Sequence, residues 1–132
     1  MFEKRKQPPI KSLIAHGTRI DGDLGFRDGL RVDGEVTGNI RASEDHPSIL
    51  VVSEVAQVTG LIEADHVIIN GHVKGPVVAR ELLELQPKAR IEGDVSYKAL
   101  EMHQGATIAG QLRPMAGSAE EKPTLKLAAN AR

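Results

Sequence analysis

A chain of 132 residues has room for one domain, and with only Phe2, Phe26 and Tyr97 aromatic its core must be assembled from Val, Ile, Leu and Ala. The absence of cysteine excludes a disulfide scaffold, thiol catalysis and cysteine-ligated zinc. The net charge of −1 conceals a segregation: residues 1–11 carry a net +3, residues 12–113 hold ten basic and fifteen acidic side chains for a net −5, and the last nineteen carry +1. An acidic body nearly free of aromatic rings repels phosphate backbones and offers no stacking platform, which argues against nucleic-acid binding.

At the N-terminus, Met1-Phe2-Glu3-Lys4-Arg5-Lys6 joins an apolar tip to a basic cluster. That combination suits the anionic inner leaflet of a cytoplasmic membrane, with Met1, Phe2, Lys4, Arg5 and Lys6 as the membrane-binding candidates. The segment lacks the apolar run of a signal peptide, and no stretch approaches the roughly 18 apolar residues of a spanning helix. The chain is therefore expected in the cytoplasm, peripheral to the membrane's inner face, with residues 1–11 a disordered basic tail.

From residue 12 onward a short unit recurs: aliphatic, any residue, glycine, any residue, aliphatic. The six copies are Ile20-Asp21-Gly22-Asp23-Leu24, Val36-Thr37-Gly38-Asn39-Ile40, Val58-Thr59-Gly60-Leu61-Ile62, Val73-Lys74-Gly75-Pro76-Val77, Ile91-Glu92-Gly93-Asp94-Val95 and Ile108-Ala109-Gly110-Gln111-Leu112. Their glycines step by 16, 22, 15, 18 and 17 residues, and the long step contains the polar stretch Ala42-Ser43-Glu44-Asp45-His46-Pro47-Ser48, which reads as an inserted surface loop. Period-two alternation places the two aliphatics and the glycine of each unit on one face of an extended strand. Second apolar segments follow most of these glycines, at Leu30-Arg31-Val32, Leu50-Val51-Val52, Val67-Ile68-Ile69, Leu83-Glu84-Leu85 and Leu100-Glu101-Met102. Each repeat thus supplies at least two strands, too few to bury their own inner face.

Coiling the chain so that each repeat sits on the last stacks the aliphatics into continuous ladders, which is the solution available to a repeat of this size. An antiparallel sandwich would also alternate, but several Asp-Gly and Asn-Gly steps that would serve as hairpin turns fall inside the alternating units. A left-handed coil of hexapeptides, the scaffold of certain acyltransferases, accounts for Ile14, Ile20, Phe26 and Val32 and then loses register. Beyond residue 113 the chain is rich in Ala, Lys and Glu, and residues 114–132 are expected to be a disordered tail with no identifiable partner.

Little chemistry is legible. His16, His46, His66, His72 and His103 are scattered, without the helix spacing of a zinc site, and read as surface residues. Asp21, Asp23 and Asp28 resemble a calcium loop in composition only, because Val32 stands where an EF-hand needs its glutamate. No phosphate-binding loop and no nucleophile motif is present, so neither a cofactor nor a catalytic residue is assigned.

Over residues 12–113 the chain resembles the bactofilins, a bacterial family of polymerising cytoskeletal proteins. The resemblance rests on Gly17-Thr18-Arg19-Ile20-Asp21-Gly22-Asp23-Leu24, Leu30-Arg31-Val32-Asp33-Gly34-Glu35-Val36-Thr37-Gly38, Val67-Ile68-Ile69-Asn70-Gly71-His72-Val73 and Ala89-Arg90-Ile91-Glu92-Gly93-Asp94-Val95. It implies an all-β chain, a right-handed parallel β-helix of about six windings between disordered tails. It implies filaments formed without nucleotide, a short membrane-targeting motif at the N-terminus, and roles in cell shape or in anchoring cell-wall enzymes and other scaffolded proteins. A C-terminal aromatic often used at the family's polymer contact has no counterpart after Tyr97.

A coil has two ends, and each exposes a slice of apolar interior beside strand edges without partners. The candidates for a polymerisation interface are Leu13, Ile14, Ile20 and Leu24 at one end and Leu100, Met102, Ile108 and Leu112 at the other. The partner so implied is a second copy of the same chain. The competing reading is an acyltransferase-like enzyme on a left-handed coil.

Overall fold

The computed structural model describes residues 8–115, and every regular element among them is a β-strand. The strands group by winding. The first winding holds β1 (Ser12–Ile14), β2 (Arg19–Asp21) and β3 (Leu24–Phe26), and the second holds β4 (Gly29–Val32), β5 (Glu35–Thr37) and β6 (Ile40–Ala42). The third adds β7 (Ile49–Val52), β8 (Gln57–Thr59) and the first half of β9 (Ile62–Ile69). After these come β10 (His72–Lys74), β11 (Val77–Leu85), β12 (Arg90–Glu92), β13 (Val95–Met102), β14 (Thr107–Ala109) and β15 (Leu112–Pro114). Because β9, β11 and β13 each run across a corner and serve two faces, the chain completes six windings of three strands.

All pairing is parallel and always to the neighbouring winding, for example β5 to β8 through Val36↔Val58 and β10 to β12 through Val73↔Ile91. One face is a separate six-stranded sheet, β2-β5-β8-β10-β12-β14; the other two merge into a nine-stranded sheet. The chain is a parallel β-solenoid, and the antiparallel alternative is excluded. At about 4.8 Å per winding the body is roughly 30 Å long.

The glycine unit differs from its sequence reading. It is not one strand but two strands meeting at a corner, the first aliphatic ending one face, the second opening the next, and glycine at the bend. At Gly60 the backbone has φ +145°, and a Cβ built there would strike the carbonyl oxygen of Gly38 one winding below. Gly38, Gly75, Gly93 and Gly110 stand in the same relation to the glycine beneath each of them, so the six units share one crowded column. Steric exclusion of a side chain, rather than strand alternation, is what the repeat records.

The interior consists of ladders. Ile14, Val32, Val52, Ile69, Leu85 and Met102 form one, and Ile20, Val36, Val58, Val73, Ile91 and Ile108 another. Leu24, Ile40, Ile62, Val77, Val95 and Leu112 form a third. Within the middle windings these side chains are fully buried. Each buried Val, Leu or Ile contributes about 1.5–3 kcal/mol, which is how a chain with few aromatics is stabilised.

The polar insertion lies where expected, at the corner between β6 and β7, and is pinned there. Ser48 is fully buried; its Oγ accepts the Asp65 N–H at 3.0 Å, and Asp65 Oδ2 accepts the Ser48 N–H at 3.0 Å. Arg80 donates to Asp65 Oδ1 at 2.9 Å, to Glu63 Oε2 at 3.2 Å and to the Ser43 carbonyl at 3.3 Å. Partial burial opposes the guanidinium charge, but the hydrogen bond and charge of Asp65, with Glu63 and Glu44 beyond it, hold its pKa above the ordinary value. Arg80→Ala would strip Asp65 Oδ1 of its cation and the Ser43 carbonyl of its donor, leaving Asp65 with the Ser48 N–H and Glu63 with Arg41, and is expected to cost about 1–3 kcal/mol. A lower urea midpoint with an unchanged slope checks it, and Arg80→Lys should recover part of the loss.

Backbone hydrogen bonds to the coil continue a residue or two past each end of residues 12–113. Lys11, placed in the N-terminal tail by sequence, donates its N–H to the Gly29 carbonyl at 3.0 Å. Pro114 belongs to β15, and the Met115 N–H reaches the Tyr97 carbonyl at 2.8 Å. The membrane candidates Met1, Phe2, Lys4, Arg5 and Lys6, and the tail from residue 116, lie outside the described residues.

Candidate functional site at the two ends of the coil

At the N-terminal end, β1, β2 and β3 each pair on one side only, with β4, β5 and β6. At the opposite end β14 pairs only with β12, β15 pairs only with β13, and the second half of β13 pairs only with β11. Among the described residues, both ends therefore present rows of backbone N–H and C=O groups without strand partners on their outer side. No helix among the described residues covers them.

The side chains repeat this break. Met102 and Leu112, each 45% exposed, occupy the ladder positions at which Leu85 and Val95 are fully buried one winding below. Leu100 and Ile108 are half-buried in the same last winding, and Ile20 and Leu24 are half-buried in the first. The structure thus brings Ile20 and Leu24 together at one end and Leu100, Met102, Ile108 and Leu112 at the other, as inward-facing residues with no winding beyond them.

Two of the eight candidates stand apart. Ile14 faces the same interior but is only 7% exposed and belongs to the core cluster. Leu13, 58% exposed, occupies the outward position of β1, in register with Arg31, so it lies on the flank of the coil rather than in its end slice. Strand alternation separates the two neighbours.

Sequence reasoning passed over Phe26 and Tyr97. Both occupy the ladder position that Ala42, Ala64 and Ala79 fill in the middle windings, with Phe26 in register with Ala42 and Tyr97 with Ala79. Phe26 lies in the first winding and Tyr97 in the fifth, and both are partly buried against the core. Burial also pushes the Tyr97 phenol's pKa up. Aligning the six repeats in register would have revealed the two rings in an alanine column.

The last windings carry polar tethers as well. Asp94 Oδ1 accepts the Gln111 N–H at 3.0 Å, and Arg113 donates to Asp94 Oδ2 at 3.2 Å. These contacts, the backbone hydrogen bond first, hold the Asp94 pKa below the ordinary carboxylate range. The same device recurs lower in the coil, where Asp23 accepts the Asn39 N–H and Asn39 accepts the Leu61 N–H, each at 3.0 Å. Gln111 takes the corresponding corner position in the last winding, where no winding lies above it.

The described residues form an all-β parallel solenoid whose first and last windings pair on one side only, and that class is what the fold defines. The family model of the bactofilins, described as polymer-forming cytoskeletal proteins, matches residues 12–113, and the chain belongs to that family. It is 30% identical over 111 residues to Bactofilin BacO of Myxococcus xanthus (strain DK1622), covering 84% of this chain and 85% of the relative. No solved structure matches the chain at a significant level. Family membership makes this a structural cytoskeletal protein that forms polymers, not an enzyme, which sets the acyltransferase reading aside.

Proposed function

We propose that the chain assembles end to end into filaments without bound nucleotide, through the first and last windings. In this reading the filaments lie along the inner face of the cytoplasmic membrane and act as a scaffold for cell shape or for localising other proteins, cell-wall enzymes among them. The observation that carries it is the exposure of Met102 and Leu112 at ladder positions fully buried in the windings below. If a contact buries on the order of 400 Å² of apolar surface, the gross gain is about 10 kcal/mol, comparable to the cost of association. One contact is then modest. Two such ends on every subunit propagate, and a contact that does not close into a ring gives a filament. Negative-stain micrographs of the purified full chain without nucleotide should show filaments; discrete particles at high concentration would overturn the proposal.

Membrane association rests on the basic, apolar-tipped start. Each Lys or Arg near an anionic surface contributes about 1 kcal/mol, so one subunit binds weakly while a filament presenting many copies is held by avidity. Deleting residues 2–6 is expected to leave assembly intact and to abolish co-sedimentation with anionic vesicles. Undiminished co-sedimentation would sink this part of the proposal.

A further inference from the structure

Glu84 in β11 and Glu101 in β13 are register partners on adjacent parallel strands. Two carboxylates of like charge thus stand one above the other on the outside of the coil, an arrangement that costs stability unless a cation joins them. Other glutamates on the surface are answered by basic side chains: Glu63 by Arg41 and Arg80, Glu81 by Lys98, Glu54 by Lys88. Among the described residues, no Lys or Arg pairs with Glu84 or Glu101. What they meet is His103, from the corner after β13, whose Nε2 lies 3.4 Å from an oxygen of each. Gln86 Nε2 donates to Glu84 at 3.3 Å and holds that carboxylate in place.

One imidazole nitrogen and two carboxylate oxygens, all within 4.8 Å of one another, make a convergent donor set. We propose that Glu84, Glu101 and His103 form a binding site for a late first-row divalent cation, with zinc the best fit. The nitrogen donor disfavours calcium and magnesium, which take oxygen ligands, whereas zinc accepts the mixture. Drawing three side chains with half-exposed ends onto bonds of about 2.0–2.2 Å requires only small rotations, and a fourth position stays open to water. His72 and Glu92, 2.7 Å apart, make a similar pair but have no third ligand among the described residues. The site also has a structural consequence. Glu84 comes from the fifth winding and Glu101 and His103 from the sixth, so a bound ion ties the last winding to the body at the end the proposed filament contact uses.

The test uses the untagged full chain and zinc chloride alone, and does not depend on whether filaments form. Isothermal titration should show one saturable equivalent per chain. Glu84→Gln and His103→Ala should each weaken it at least tenfold, while His72→Ala leaves it unchanged. Zinc should slow amide exchange across residues 98–109 in the parent and in His72→Ala, but not in His103→Ala. Absence of saturable binding, or binding indifferent to Glu84→Gln and His103→Ala, would overturn the site.

Discussion

Gly60→Ala is expected to yield a chain that no longer folds cooperatively. The new methyl group would be driven into the carbonyl oxygen of Gly38 while the backbone holds φ at +145°, a conformation that side chains with a Cβ rarely adopt. In a surface loop such a clash relaxes by a small shift. Here the residue stands between β8 and β9, and the carbonyl it strikes belongs to the corner between β5 and β6, whose strands pair directly with those two. Relief would require prising apart windings about 4.8 Å apart along their hydrogen bonds, or rotating a corner whose N–H bonds the Lys74 carbonyl at 2.8 Å. Strain of about 1–3 kcal/mol for the dihedral plus the broken pairing consumes much of the 5–15 kcal/mol typical of a folded domain. Gly25→Ala is the control, because its nearest atom is the Arg41 carbonyl oxygen at 3.9 Å and its φ lies outside the left-handed range. Circular dichroism melts should show a parent-like transition for Gly25→Ala and none for Gly60→Ala; a Gly60→Ala melt within a few degrees of the parent would refute the steric account of the repeat.

The same corner explains what sequence could and could not reveal. The period, the insertion around Asp45 and the stacked aliphatics are local signals, repeated six times, and they carry over directly into the windings. The third strand of each winding is hard to read because three of the five corners that join one winding to the next carry no turn residue: β9 rounds its corner at Asp65, β11 at Arg80 and Glu81 and β13 at Lys98, in charged side chains that also suit a straight strand. The glycine reads as part of a strand face because its neighbours alternate in polarity across the bend just as they would along one strand. At the ends, Leu13 and Ile14 are equally apolar as letters, and only the register of β1 on β4 assigns one to the flank and the other to the core. Glu84 stands one winding of the coil from Glu101 and His103, a separation that acquires meaning only once the fold is known.

Met102→Lys and Leu112→Lys, singly and together, are expected to leave the coil folded and to abolish long filaments. Both side chains are already half in solvent, so a lysine at either site can extend outward, and the melting temperature should fall by only a few degrees. A second copy stacked on the last winding removes that solvent, and the ammonium must then be desolvated or reach the rim. A penalty of about 3 kcal/mol per contact weakens association roughly 100-fold, and because every joint at that end carries the same lesion, the loss recurs along the chain. The matched substitution at Ile14 is a poor probe, since that side chain belongs to the core cluster and its replacement by lysine would confound unfolding with loss of assembly. Sedimentation velocity should report monomers or short oligomers for the double variant, with a far-ultraviolet spectrum like the parent's. Filaments of parental length from a folded Met102→Lys, Leu112→Lys chain would mean that the C-terminal cross-section is not the joint, and that the polymer is held through the flanks of the coil instead.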